Sequence, residues 1–209
     1  VEGTLRQGAG APGLKLIETM RLLGPGDVPR LDLHAARMAR SAGALGWKFD
    51  LSKFHAVVRG FDPASGERLR MTLNQTGWIE GAQALLQETP RSWRLRLAAE
   101  RLASGDVWLG VKSTNRAAYD RQRAALPEGT EELIFQNERG EVCDGTITTL
   151  FFDRGQGLRT PPLRSGLLPG VLRAELGCPE EVLLTKELSQ VRLWVGNSLR
   201  GLIPAIWCV

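Results

Sequence analysis

Apolar and polar residues alternate one for one in the stretch GERLRMTLNQTG (66–77), where Leu69, Met71 and Leu73 are set against Arg68, Arg70 and Thr72. A two-residue period puts one kind of side chain on each face of an extended chain, so this is a half-buried strand closed by a polar turn. WRLRLAAE (93–100) alternates in the same way. LKLIETMRLL (14–23) reads as a further strand with a polar end, followed by the turn signal GPGD (24–27). The stretch 32–46 has helical spacing instead. Asp32 is its candidate N-cap, Leu33, Ala36, Met38, Ala42 and Leu45 form a broken apolar stripe, and Gly46 ends it. A second helix is expected over 51–59, and another after Lys112 to about Ala125, before Pro127. A run of strands follows, with NERG (137–140) and RGQG (154–157) where hairpin turns belong. LLPGVLRAELG (167–177) is a loop entering a helix, and two short apolar segments flank GNSLRG near 196–201. Strands outnumber helices. The mixture points to an α/β or α+β chain of two lobes, 1–105 and 106–209, with Lys112 on the second.

At 209 residues there is material for a sizeable core, and 43% apolar with 24% charged residues is ordinary for a globular protein. No apolar run approaches the roughly 18–20 residues of a membrane helix. The first residues, VEGTLRQGAGAPG, lack the apolar centre of a signal peptide. Cys143, Cys178 and Cys208 are odd in number and scattered, which argues against a disulfide framework and fits a reducing cytoplasm. With two histidines, His34 and His55, and no CxxC pair, a metal centre is not expected. The net charge of +4 is spread along the chain without aromatic interleaving, so small anions are better partners than nucleic acid.

Five positions carry potential chemistry. Lys112 follows the apolar run Val107–Val111, where a strand is expected. A lysine there either snorkels to water or is desolvated enough to lose its proton and act covalently. Asp144, in GEVCDGTITTLFF, reads from the residues alone as a hairpin Asp capping the turn at Gly145. If buried, it needs a partner, which a protonated pyridine nitrogen would supply. Gly170 stands where a loop enters a helix, and backbone N–H groups there can hold a phosphate. Arg37 and Ser198 would add side-chain contacts, or are a surface helix residue and a turn residue.

Taken in order, LIETMR, LxxHxxRxxxSAxxLGW, KSTNRxxYD, NERGEVxDGT, TPPLxSGLLPGVLR and NSLRG cover about residues 14–206. This series resembles the class IV (fold type IV) pyridoxal-phosphate enzymes: branched-chain and D-amino acid aminotransferases and aminodeoxychorismate lyases. KSTNR, NERGEV, SGLLPGVLR and NSLRG are most similar to the lyase branch. The resemblance implies a two-lobed D-amino acid aminotransferase-like or branched-chain aminotransferase-like fold. It implies pyridoxal 5'-phosphate as cofactor and a homodimer with no nucleic-acid or membrane partner. It makes Lys112 the lysine that holds the cofactor covalently and shuttles protons. Arg37, the Val171 and Leu172 backbone and Ser198 would hold the phosphate, Asp144 the ring nitrogen and Leu168 the ring face. Thr19 would line the substrate side. Arg200, by its charge and its nearness to Ser198, would meet a substrate carboxylate.

Three positions depart from the family pattern. Asp144 stands where Glu is usual, Leu172 where a Thr follows Gly-Ile, and Thr149 where Asn is usual. The implied activity is conversion of 4-amino-4-deoxychorismate, an anionic dicarboxylate, to p-aminobenzoate and pyruvate. A class IV aminotransferase acting on a small amino acid, or a degenerate paralogue without catalysis, are the alternatives.

Overall fold

A computed structural model of the chain describes residues 2–208. Contacts divide the chain into two units at Glu88/Thr89, and the short stretch Val111–Asn115 returns to the first. The division expected between residues 105 and 106 falls elsewhere because the 93–97 strand is built into the second unit's sheet. The Lys112 segment pairs with the first.

The first unit holds α1 (Glu2–Gly8), β1 (Leu16–Arg21), α2 (Leu31–Leu45), α3 (Leu51–Arg59), β2 (Arg68–Leu73) and β3 (Ile79–Ala84). Its three strands form an antiparallel sheet in the order β1-β2-β3. The alternation of 68–73 is realised as expected: Leu69, Met71 and Leu73 are fully buried. β1 places Leu16, Glu18 and Met20 on the buried side by the same period. α2 ends at Gly46, whose φ of 72° is left-handed backbone that glycine adopts without strain. Asp32 is not its cap; Arg30 holds that position and Asp32 lies in the first turn. The buried stripe is His34, Ala35, Arg37, Met38, Ala42 and Leu45, whereas Leu33 and Ala36 are exposed. Two polar residues displace the expected apolar ones because Glu18 lies on the buried side of β1.

The second unit contains β4 (Trp93–Leu97), α4 (Ala117–Ala124), β5 (Glu132–Gln136), β6 (Val142–Gly145), β7 (Thr149–Asp153), α5 (Val171–Leu176), β8 (Arg192–Asn197) and β9 (Gly201–Trp207). The sheet order is β6-β5-β4-β9-β8-β7, with β4 parallel to both neighbours and the other pairs antiparallel. Its two edge strands, β6 and β7, are joined only by residues 146–148. Six strands laid flat would separate those edges by about 24 Å, whereas four Cα steps reach roughly 15 Å. The sheet therefore curls until its edges meet. Trp93, Leu95, Ile134, Val142, Leu150, Phe152, Val195 and Ile203 pack together in one core. Leu133, Phe135, Cys143, Leu109 and Leu167 form a second, against Tyr119 of α4. β5 is buried along its whole length because both faces are covered.

Lys112 does not end a strand. Val107–Gly110 is a 3-10 turn, and the residues after it lie beside β1. Among the described residues, no helix is long and apolar enough to cross a membrane, and no His/Cys/Asp/Glu cluster could hold a metal ion.

Candidate active site

In the first unit, Ile17 donates its N–H to the Lys112 carbonyl at 2.8 Å, and Thr114 donates to Lys15 O at 2.9 Å. These bonds lay the KST segment along β1 and fix the backbone on both sides of Lys112, whose side chain is half-buried. Thr19 lies two residues along β1 from Ile17, on the same face, opposite Arg70 of β2.

Arg37 faces the other side of β1. Its Nε donates to Glu18 Oε1 at 2.8 Å and its Nη2 to Glu18 Oε2 at 2.6 Å; His34 Nδ1 lies 2.6 Å from the same Oε2. Glu18 is 1% exposed and Arg37 6%. Burial pushes the Glu18 carboxyl up, but the charge and hydrogen bonds of Arg37, with those of His34, outweigh it and hold it at about 2. Glu18 and His34 were not singled out from sequence. The available signal was parity: Glu18 occupies an inward position of a strand, where a carboxylate needs a cationic partner.

In the second unit, Asp144 is no exposed turn cap. It lies at the end of β6, 4% exposed. Tyr119 donates its hydroxyl to Oδ1 at 3.1 Å, and Leu168 donates its backbone N–H to Oδ2 at 3.1 Å. Burial raises the Asp144 carboxyl to about 7; those two hydrogen bonds oppose the rise, and the nearby Glu132 carboxylate adds to it. Tyr119 is itself fixed by Phe135, with ring centroids 4.8 Å apart, and by Arg116, 5.5 Å above its ring. Burial and the Asp144 charge push its phenol far above the ordinary range. Glu141, three residues earlier, is tied instead to Arg139, Ser165 and Asn137, and the Arg139 bond first among these holds it at about 2.

Thus Asp144 and Leu168 come together through one hydrogen bond. A second grouping surrounds the start of α5. Gly170 precedes Val171 and Leu172, and the first N–H groups of a helix have no acceptor within it. A Cβ on Gly170 would lie 2.6 Å from Thr149 Oγ1, and one on Gly196 would lie 2.6 Å from Leu172 Cδ2. Both positions must be glycine for the α5 start to approach β7 and β8 this closely. The turn after β8 carries Ser198 and Arg200, both half-buried. Asn197 shapes it: Oδ1 accepts the N–H groups of Leu199 and Arg200 at 3.1 and 3.0 Å, and Nδ2 donates to Ile147 O at 3.2 Å.

The donor set suits a phosphorylated pyridine aldehyde. The first unit has a lysine on a fixed backbone, and the second a buried carboxyl near neutrality. There are helix-start N–H groups, beside a hydroxyl and an arginine in the next turn.

The sequence profile of a family described as amino-transferase class IV matches residues 15–206. A Schizosaccharomyces pombe protein provisionally named aminodeoxychorismate lyase is 26% identical over 159 residues, covering 72% of this chain and 68% of its own. A crystal structure from Mesorhizobium loti, provisionally assigned as an amino-acid aminotransferase, superposes with a TM-score of 0.87. It is 37% identical, over 93% of this chain and 100% of that one. The 4-amino-4-deoxychorismate lyase of Pseudomonas aeruginosa has the same fold: TM-score 0.79, 22% identity, 92% of this chain and 82% of that one.

Proposed function

Since the chain belongs to the class IV aminotransferase family, whose fold is pyridoxal-phosphate dependent, we propose that it is a pyridoxal-phosphate lyase. Its reaction would convert 4-amino-4-deoxychorismate to p-aminobenzoate and pyruvate. The observation that carries the cofactor reading is Asp144: a buried carboxyl near pH 7, oriented by Tyr119 and Leu168. A cationic ring nitrogen beside it would draw it into the ionised form and be held protonated in return.

Bound in this way, the cofactor would supply an electron sink for the substrate. The chain's residues do the rest. Lys112 Nζ would hold the cofactor and, once freed from it by the substrate's amino group, would take the proton from C4 of the substrate. It would deliver a proton to the methylene carbon of the enolpyruvyl group as the bond between the ring carbon and its ether oxygen breaks, so that pyruvate and an aromatic ring result. Arg37, the N–H groups of Val171 and Leu172, and Ser198 would hold the phosphate. Leu168 would pack on the ring, Thr19 would line the substrate side, and Arg200 would bind a carboxylate. Leu172 contributes its N–H without the hydroxyl usual there. The protein works as a cytoplasmic homodimer, which light scattering tests.

The experiment is release of p-aminobenzoate, followed by fluorescence, with pyridoxal phosphate and without a keto acid. Release by the wild type and none by Lys112→Ala is the expected result. The M. loti relative favours a second reading, an aminotransferase on a small amino acid. No release, together with conversion of an amino donor to its keto acid, would establish that reading instead.

A further inference from the structure

We propose that Glu132 is a positioning residue for Asp144: its buried carboxylate clamps the turn 146–148 and so fixes the end of β6 on which Asp144 is carried. Glu132 is 0% exposed. Its Oε1 accepts the N–H of Leu133 at 3.1 Å, the N–H of Thr146 at 3.0 Å and the Thr146 hydroxyl. Its Oε2 accepts the N–H of Ile147 at 3.2 Å and the Thr148 hydroxyl at 2.9 Å. Arg123 Nη1 lies 3.5 Å from Oε1. Three of those partners are backbone N–H groups, which can only donate, so the site is built for a carboxylate and for no amide.

Gly145 makes room for it. A Cβ there would lie 2.8 Å from Glu132 Cγ and Cδ and 2.4 Å from Thr148 Oγ1. The outer side of the turn is held as well: Arg116 Nη2 donates to Thr146 O at 2.8 Å and Asn197 Nδ2 to Ile147 O at 3.2 Å. The clamp therefore joins Asp144, the residues before α4 and the Ser198 turn.

Removing one partner of a buried, multiply bonded carboxylate leaves several donors unsatisfied, so the turn must loosen. Within the second unit the groups facing Asp144 are Tyr119 of α4, Arg116 before it, Glu132 of β5, Cys143 of its own strand and the Leu168 N–H. Of these, Glu132 supplies the carboxylate repulsion. The catalytic importance of the clamp rests on the reading of Asp144 given above; the clamp itself does not.

The test follows Asp144 directly, in cofactor-free protein labelled with 13C at the aspartate carboxyl carbons and assigned by comparison with Asp144→Asn. In Glu132→Gln the Asp144 titration midpoint is expected to fall by about one pH unit, because repulsion is lost and water gains access. A general loss of stability would not move it. An unchanged midpoint in the folded variant overturns the proposal. If Glu132→Gln does not fold, Thr148→Val decides: it keeps the Glu132 charge, deletes one hydroxyl from the clamp and is close to isosteric. It is expected to displace the Asp144 carboxyl resonance and to speed hydrogen exchange of the Thr146 and Ile147 amides about tenfold. Neither change occurring overturns the proposal. Adding pyridoxal phosphate to the wild type separates the two readings. A lowered Asp144 midpoint supports the cofactor reading, and no displacement overturns that reading alone. The clamp stands or falls on the cofactor-free measurements.

Discussion

Asp144 holds its proton more tightly in the folded chain than in the unfolded one, about 7 against an ordinary 3.8. Between those values the folded state binds more protons, so stability falls as pH rises from about 4 to about 7 and the loss is complete above 7. For a fully buried group the loss is on the order of 4 kcal/mol. Asp144→Asn has no such charge to bury. Its melting temperature is expected to gain on the wild type as pH is raised from 4 to 8, in cofactor-free protein, by scanning calorimetry. A constant gap would show that the folded Asp144 titrates normally. Glu18 has the opposite sign. Held at about 2, it stabilises fully above its ordinary 4.5 and loses that contribution as pH falls from 4.5 through 2. Glu18 thus withdraws stability from the first unit in acid, and Asp144 withdraws it from the second as pH rises to neutrality.

At the scale of elements, the start of α5 depends on how near β7 comes. Gly170→Ala would drive a methyl into Thr149 Oγ1, which lies only 2.6 Å from the added Cβ. The substitution is expected to weaken pyridoxal phosphate binding about tenfold, and Thr149→Ala in the same chain to restore most of it. Equilibrium titration of the cofactor absorbance checks both. The elements themselves were largely legible. RLRMTL and WRLRL declare their strands by period, 51–59 its helix, and the loop before Val171 its transition. What the local pattern hid was the identity of the buried face. In α2 the inward stripe contains His34 and Arg37, because their partner Glu18 lies in another element. Lys112 misled for a similar reason: VWLGV reads as a strand, yet its turn is set by pairing of the following residues with β1, nearly a hundred positions earlier. Asp144 looked like a turn residue because Tyr119 and the Leu168 N–H, which make its burial tolerable, are 25 and 24 positions away.

For the molecule as a whole, the first unit is discontinuous: residues through Glu88 lack Val111–Asn115, and with it the bonds Ile17 N to Lys112 O and Thr114 N to Lys15 O. A fragment of residues 1–88 is expected to be less stable than one of residues 1–115, with a lower urea midpoint by circular dichroism. Equal midpoints would show that the KST segment adds nothing to β1.

The discontinuity also sets an order of events on the ribosome. A domain whose residues are consecutive can fold as soon as its last one clears the exit tunnel. Here the first unit waits until Asn115 has emerged, by which time β4 of the second is already outside. That strand has neither neighbour yet: both β5 and β9 are still to be synthesised. Until those strands follow, Trp93 and Leu95, buried in the finished sheet, are presented to solvent and to whatever chaperones wait there.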